Sequence, residues 1–132
     1  MSVLLALALV VHGCIHVGYL CSRSWPFEAS DSWLITGLGA GSVAVNDIGS
    51  ALVIVTVVAF TLAALTAVRL LPSVLWRPLI VVATVASAIV LVMFITVWTL
   101  PFLAIDAVLL WATFVVGWEP RRRPGTQRPR LA

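Results

Sequence analysis

The chain has 132 residues, 62% of them hydrophobic and only 10% charged, with a mean hydropathy of +1.15. Soluble domains carry about 25% charged residues, so the composition excludes an ordinary water-soluble enzyme and reads as a polytopic helical membrane protein with no room for a separate soluble domain. The net charge of +3 comes from eight arginines against five acidic residues, and five of those arginines fall in the last twelve positions. Arginines bordering a span are topology determinants, which argues against a nucleic-acid arm.

Residues 2–21 form the first apolar run, close to the roughly 20 residues needed to cross a bilayer core. It has no positive n-region and no small-x-small cleavage site, so it reads as a retained span rather than a secretory signal. Within it lie His12 and His16, whose i, i+4 spacing stacks both imidazoles on one face of an α-helix. Cys14 and Cys21 are about 10 Å apart along the same axis, too far to bridge. Cys14 is expected to pack as a small apolar residue, and Cys21 to lie near the membrane edge.

Residues 22–46 form an external loop. Its first part is polar, and Trp25 and Trp33 place it along the headgroup level. From Trp33 to Val45 the chain is apolar but carries Gly37, Gly39 and Gly41, which disfavour a regular helix. That stretch fits a re-entrant segment or a plain loop.

Helix 2 is expected over 47–71, with Asp47 as N-cap or first-turn anion. A tight turn at 72–77 is bracketed by Arg69 and Arg77. Helix 3 is expected over 78–100 with Pro78 in its first turn, and helix 4 over 101–118 after the break at Pro101. Residues 119–132, rich in Arg and Pro, are expected to be a disordered cytoplasmic tail. With four spans the tail and the Arg69/Arg77 turn share one side, and the excess of arginine makes it the cytoplasmic one. Both termini then lie inside, and the 22–46 loop outside.

This frame gives the polar residues a depth. At 1.5 Å per residue, His16 lies about 9 Å and His12 about 15 Å from the outer end of helix 1, and Asp106 about 7.5 Å below Pro101. In an up-down bundle helices 1 and 4 can be neighbours, so His12, His16 and Asp106, with Asp47 near the same layer, form a candidate outer-leaflet site. Ionisable groups inside a membrane are costly and mark function by default.

Three chemistries fit these residue types. Two histidines a turn apart with one carboxylate, His12, His16 and Asp106, resemble a metal-ligand set. A His–Asp pair also handles protons, the carboxylate fixing the imidazole tautomer. The structural alternative is an interhelical hydrogen bond that fixes packing. Haem fits less well, because two histidines on one helix cannot ligate opposite faces of one porphyrin and the chain has no third. A membrane redox enzyme or subunit using the site for quinone, haem or metal is the competing class. Ser50, Thr61, Thr84, Ser87 and Thr113 read as hydroxyls bonded back to their own helices. Gly13, Gly18 and Gly49 read as points of close helix approach. Trp76 and Trp118 fit an inner aromatic belt and Trp98 an outer one, with Trp111 packed inside.

His12-Gly13-Cys14-Ile15-His16, the loop and three further spans, and Ile105-Asp106-Ala107-Val108 in the last span together resemble a group of small bacterial four-helix membrane proteins. Their first helix carries a His-Gly-x-x-His-x-x-Gly-like run and their last an Asp or Asn in an apolar context. Val17-Gly18-Tyr19 stands here where a bulkier residue, Gly and Phe are common. The resemblance implies a transmembrane four-helix bundle and a pairing of His12 and His16 with Asp106, and it implies no reaction. The expected protein is a small multi-pass inner-membrane protein that binds a proton, metal ion or small ligand at this site, or acts as an accessory subunit of a larger complex or homo-oligomer in the lipid bilayer.

Overall fold

The computed structural model describes residues 2–19, 33, 37, 42–95 and 97–119. The rest of the expected external loop, Cys21 and the tail from residue 120 lie outside the described residues. Among the described residues the chain is all-helical, with no strand: α1 (Ser2–Ile15) runs into a 3-10 turn (His16–Tyr19), followed by α2 (Ser42–Ala67), a second 3-10 turn (Ser73–Leu75), α3 (Trp76–Met93) and α4 (Leu100–Phe114). The four helices form a bundle. Two stretches, Asp47–Ala67 and Ser73–Met93, are long and apolar enough to cross a membrane, whereas Ser2–Gly18 and Leu100–Phe114 are apolar but shorter.

Several boundaries differ from those expected. The second helix begins at Ser42 rather than Asp47, so Asp47 sits in its second turn and is no N-cap. It ends at Ala67, four residues early, in a Schellman arrangement: Arg69 N–H donates to Thr66 O at 3.0 Å and Leu70 N–H to Leu65 O at 2.9 Å. Arg69 occupies the left-handed position at φ 68°, where glycine is the usual residue. The third helix starts at Trp76 and stops at Met93, and the next begins at Leu100, so the break between them comes before Pro101 and not at it. An antiparallel pair needs a loop of several residues between its helices, and the expected adjoining ranges left none. Pro101 instead lies in the first turn of α4, where its missing N–H has no intrahelical partner to lose. The last helix closes at Phe114, and Gly117 follows at φ +67°.

Packing is most extensive between α2 and α3, then between α1 and α2, then between α3 and α4. The buried positions explain it. In α2, Val53, Thr56, Phe60, Ala63 and Ala67 are buried, and in α3, Trp76, Ile80, Ala83, Ser87 and Val90. Both sets alternate steps of three and four residues, the spacing of a left-handed helix pair. Ala59, Ala63 and Ala67 repeat every fourth residue, a small-x-x-x-small stripe that lets backbones approach closely. Gly13 serves the α1–α2 contact: a Cβ there would lie 3.1 Å from Phe60 Cβ and 3.6 Å from Val57 Cα. At Gly49 a Cβ would meet nothing within 4 Å among the described residues.

The outward faces are apolar as well: Leu4, Leu7, Val58, Val85, Val108 and Phe114 are all exposed. Trp98 is exposed, at 77%, and so is Trp111, at 58%, which sequence placed in the packing. Trp76 departs in the other direction. It is buried and meets Trp118 edge-on at a centroid distance of 5.3 Å. Beside that pair Arg77 Nε bonds Glu119 Oε1 at 2.9 Å, tying the start of α3 to the chain beyond α4. Cys14 is exposed rather than packed.

Candidate functional site

Four polar side chains from three helices meet in the bundle interior: His12 from α1, His16 from the 3-10 turn after it, Ser87 from α3 and Asp106 from α4. They are 5%, 1%, 0% and 2% exposed. Polar groups buried this deeply are retained only when they answer one another, and these do.

The direction of each bond follows from the inventory of protons. The Ser87 hydroxyl donates to Asp106 Oδ2 at 2.5 Å. Its single proton is thereby used, so at 2.9 Å from His16 Nε2 it accepts, and that nitrogen is the protonated one. His12 Nε2 lies 3.0 Å from Asp106 Oδ1 and donates to it. The result is an unbroken chain in which His12 donates to the carboxylate directly and His16 reaches it through the Ser87 hydroxyl. The tautomers are thus assigned from the bonding pattern.

Local geometry explains why these residues meet. Ser87 lies six residues before Met93, the end of α3, and Asp106 six residues after Leu100, the start of α4. At 1.5 Å per residue both are about 9 Å from those ends, at one depth. On α3, Ser87 falls on the buried stripe with Ile80, Ala83 and Val90. On α1, the helix gives way to 3-10 winding at His16, and the two imidazoles stand at 81° with centroids 5.5 Å apart. The His12 ring also meets Phe60 edge-on at 4.9 Å and Phe102 at 5.9 Å, which shields its hydrogen bond from water.

Of the four residues expected at the site, the structure brings His12, His16 and Asp106 together and leaves Asp47 exposed, with no bond to the other three among the described residues. The direct partner of Asp106 is His12, one turn deeper than the depth estimate favoured, and His16 reaches the carboxylate through Ser87. Ser87 is the residue that sequence reasoning missed. Its expected bond back to its own helix is replaced by the bond to Asp106, whereas Thr61 and Thr84 do bond back, to Val57 O and Ile80 O at 2.8 and 2.7 Å. The expected metal set does not close either. Among the described residues no group of three His, Cys, Asp or Glu is arranged to hold an ion, because a serine stands between His16 and the carboxylate.

Compared with protein-family models, with curated proteins and with solved structures, the chain matches none.

Proposed function

We propose that this is a small multi-pass protein of the inner membrane, both termini cytoplasmic, whose buried His12–Asp106–Ser87–His16 chain holds and shares a proton. The observation that carries this reading is the unbroken chain of bonds linking one imidazole directly, and the other through Ser87, to one carboxylate at positions almost closed to water. Three features support the membrane setting: the two long apolar helices, the apolar outward faces, and the arginines gathered at one end of the expected topology. The first helix with its 3-10 turn rises about 29 Å, near the roughly 30 Å of a hydrocarbon core.

The chemistry follows from the bonds. A proton taken up by His12 is passed directly to Asp106 Oδ1. One taken up by His16 reaches the same carboxylate in a paired shift: Nε2–H gives its proton to Ser87 Oγ as Ser87 gives its own to Oδ2. Either route converts an imidazolium and a carboxylate into two neutral groups, so the cluster accepts a proton without leaving an isolated charge in a medium where that is costly. A purely structural interhelical bond would need only one histidine, and the second is wired in by Ser87.

The test is infrared difference spectroscopy of the protein in lipid nanodiscs, stepped across the range where imidazoles and carboxyls titrate. Imidazole and carboxyl bands are expected to change together in one transition. Asp106→Asn should remove the carboxyl component and Ser87→Ala should detach His16 from it. Bands that titrate independently of each other, or not at all, would remove the proton-sharing reading.

A further inference from the structure

Beside the polar cluster, between α3 and α4, lies a cavity of about 460 Å³ with almost wholly apolar walls, among them Val85, Ile89, Val92, Leu103 and Leu110, and with the buried Asp106 among its lining residues. Val85, Ile89 and Val92 are 47%, 44% and 36% exposed, so the cavity opens on the outward face of the helix pair. At the Val92 end, Trp33 Nε1 donates to Val92 O at 2.9 Å, which seats an indole beside that wall. Thr84 also lines the space, but its hydroxyl is already donated to Ile80 O.

We infer that this cavity binds a lipid-soluble molecule with an apolar body and one hydroxyl, the hydroxyl donating to Asp106. The inference rests on the membrane placement proposed above. Volume sets the size: at about 30 Å³ per water-sized group the space holds on the order of 15 non-hydrogen atoms. The walls set the body, because they are aliphatic. Asp106 sets the head group. A carboxylate has about four acceptor sites, and His12 and Ser87 occupy two. Among the described residues the lining therefore offers spare acceptor capacity on Asp106 and no uncommitted side-chain donor. A ketone or ester would meet acceptor against acceptor there, and a fatty acid carboxylate would add like charge. An alcohol or a hydroquinone-type phenol supplies the missing donor. Buried polar groups discriminate by such pairing far more sharply than apolar walls do by size.

The probes are a diazirine-bearing decanol and its methyl ether, which differ only in the donor, photolysed with the full-length protein in phosphatidylcholine nanodiscs and mapped by mass spectrometry. The alcohol is expected to label Ile89, Val92 or Leu103 at least about fivefold more than the ether, the effect of roughly one net hydrogen bond, and excess dodecanol should compete. Ala107→Phe, which fills the cavity from its α4 wall, should abolish that labelling, and Asp106→Asn should narrow the difference between alcohol and ether. Equal labelling by the two probes in the wild type, or labelling indifferent to Ala107→Phe, would overturn the inference and identify the groove as ordinary acyl-chain surface or a seat for a second copy. The two readings fail separately. A wild type that shows the coupled infrared transition but no preference for the alcohol loses only the cavity ligand, and one that prefers the alcohol without a coupled transition loses only proton sharing.

Discussion

Removing the Asp106 carboxylate while keeping the helix gives the most informative perturbation, and a mutant cycle apportions its effect. Asp106→Ala strands the His12 Nε2–H and the Ser87 hydroxyl, both almost fully buried. A stranded buried donor costs about 1–3 kcal/mol, but a serine in a helix can turn to its own i−4 carbonyl, as Thr84 does. Most of the loss therefore falls on His12, and the expected destabilisation is about 1–3 kcal/mol. Within membranes the coupling of one interhelical pair averages about 0.6 and reaches about 1.7 kcal/mol. The His12→Ala/Asp106→Ala cycle should fall in the upper half of that range, because the pair is direct and charge-assisted. The His16→Ala/Asp106→Ala cycle should show a smaller coupling that vanishes when repeated in Ser87→Ala, since the hydroxyl is the bridge. Unfolding equilibria in mixed micelles, followed by the fluorescence of the six tryptophans, give each value. Asp47→Ala, at an exposed position, is the control and should stay within about 0.5 kcal/mol. A His12–Asp106 coupling below about 0.3 kcal/mol, the usual scatter of non-interacting sites, would refute the reasoning, as would a His16–Asp106 coupling that survives loss of Ser87.

Two further predictions come from the backbone. Gly13→Leu should separate α1 from α2 and cost about 1–3 kcal/mol, an overpacking penalty; Gly13→Ala should cost less, since Phe60 need shift only a few tenths of an ångström, and Gly49→Ala, inside α2, should raise stability by up to about 1 kcal/mol in the same unfolding assay. Arg69→Gly relieves the left-handed residue at the end of α2 and should raise stability by up to about 1 kcal/mol; a loss of stability there would mean that the arginine side chain contributes more than its backbone strain costs.

The all-helical fold was legible because apolar runs near span length can satisfy their backbone only as helices, and the punctuation at Leu71-Pro72 and Pro101 marked the ends to within several residues. The pairing of both histidines with Asp106 was legible for a similar reason, since ionisable groups in apolar helices need partners. Ser87 was not, and the cause is a misplaced turn. With the third helix drawn to residue 100, Ser87 lies thirteen residues from its end, about 20 Å, and so far below Asp106. With the third helix ending at Met93 and the fourth beginning at Leu100 the two are level. No residue in 94–99 is a glycine or proline, so the break carries no local signal, while Pro101 carries a strong one that belongs to a helix start. Trp76 and Trp111 were assigned to the wrong environments because depth along a span was read without the helical face. The buried stripe of α3 runs through Trp76 and Ser87 alike, and reading its alternating steps of three and four would have placed both.

The most direct measurement of the central claim is the ¹⁵N nuclear magnetic resonance spectrum of histidine-labelled protein in lipid nanodiscs, the two imidazoles being assigned by His12→Gln and His16→Gln. The bonding pattern predicts that Nε2 is the protonated nitrogen in both rings, that Asp106→Asn shifts both signals, and that Ser87→Ala shifts His16 alone. An unprotonated Nε2 on either ring, or a His16 signal indifferent to Ser87→Ala, would contradict the single chain of bonds on which the account stands.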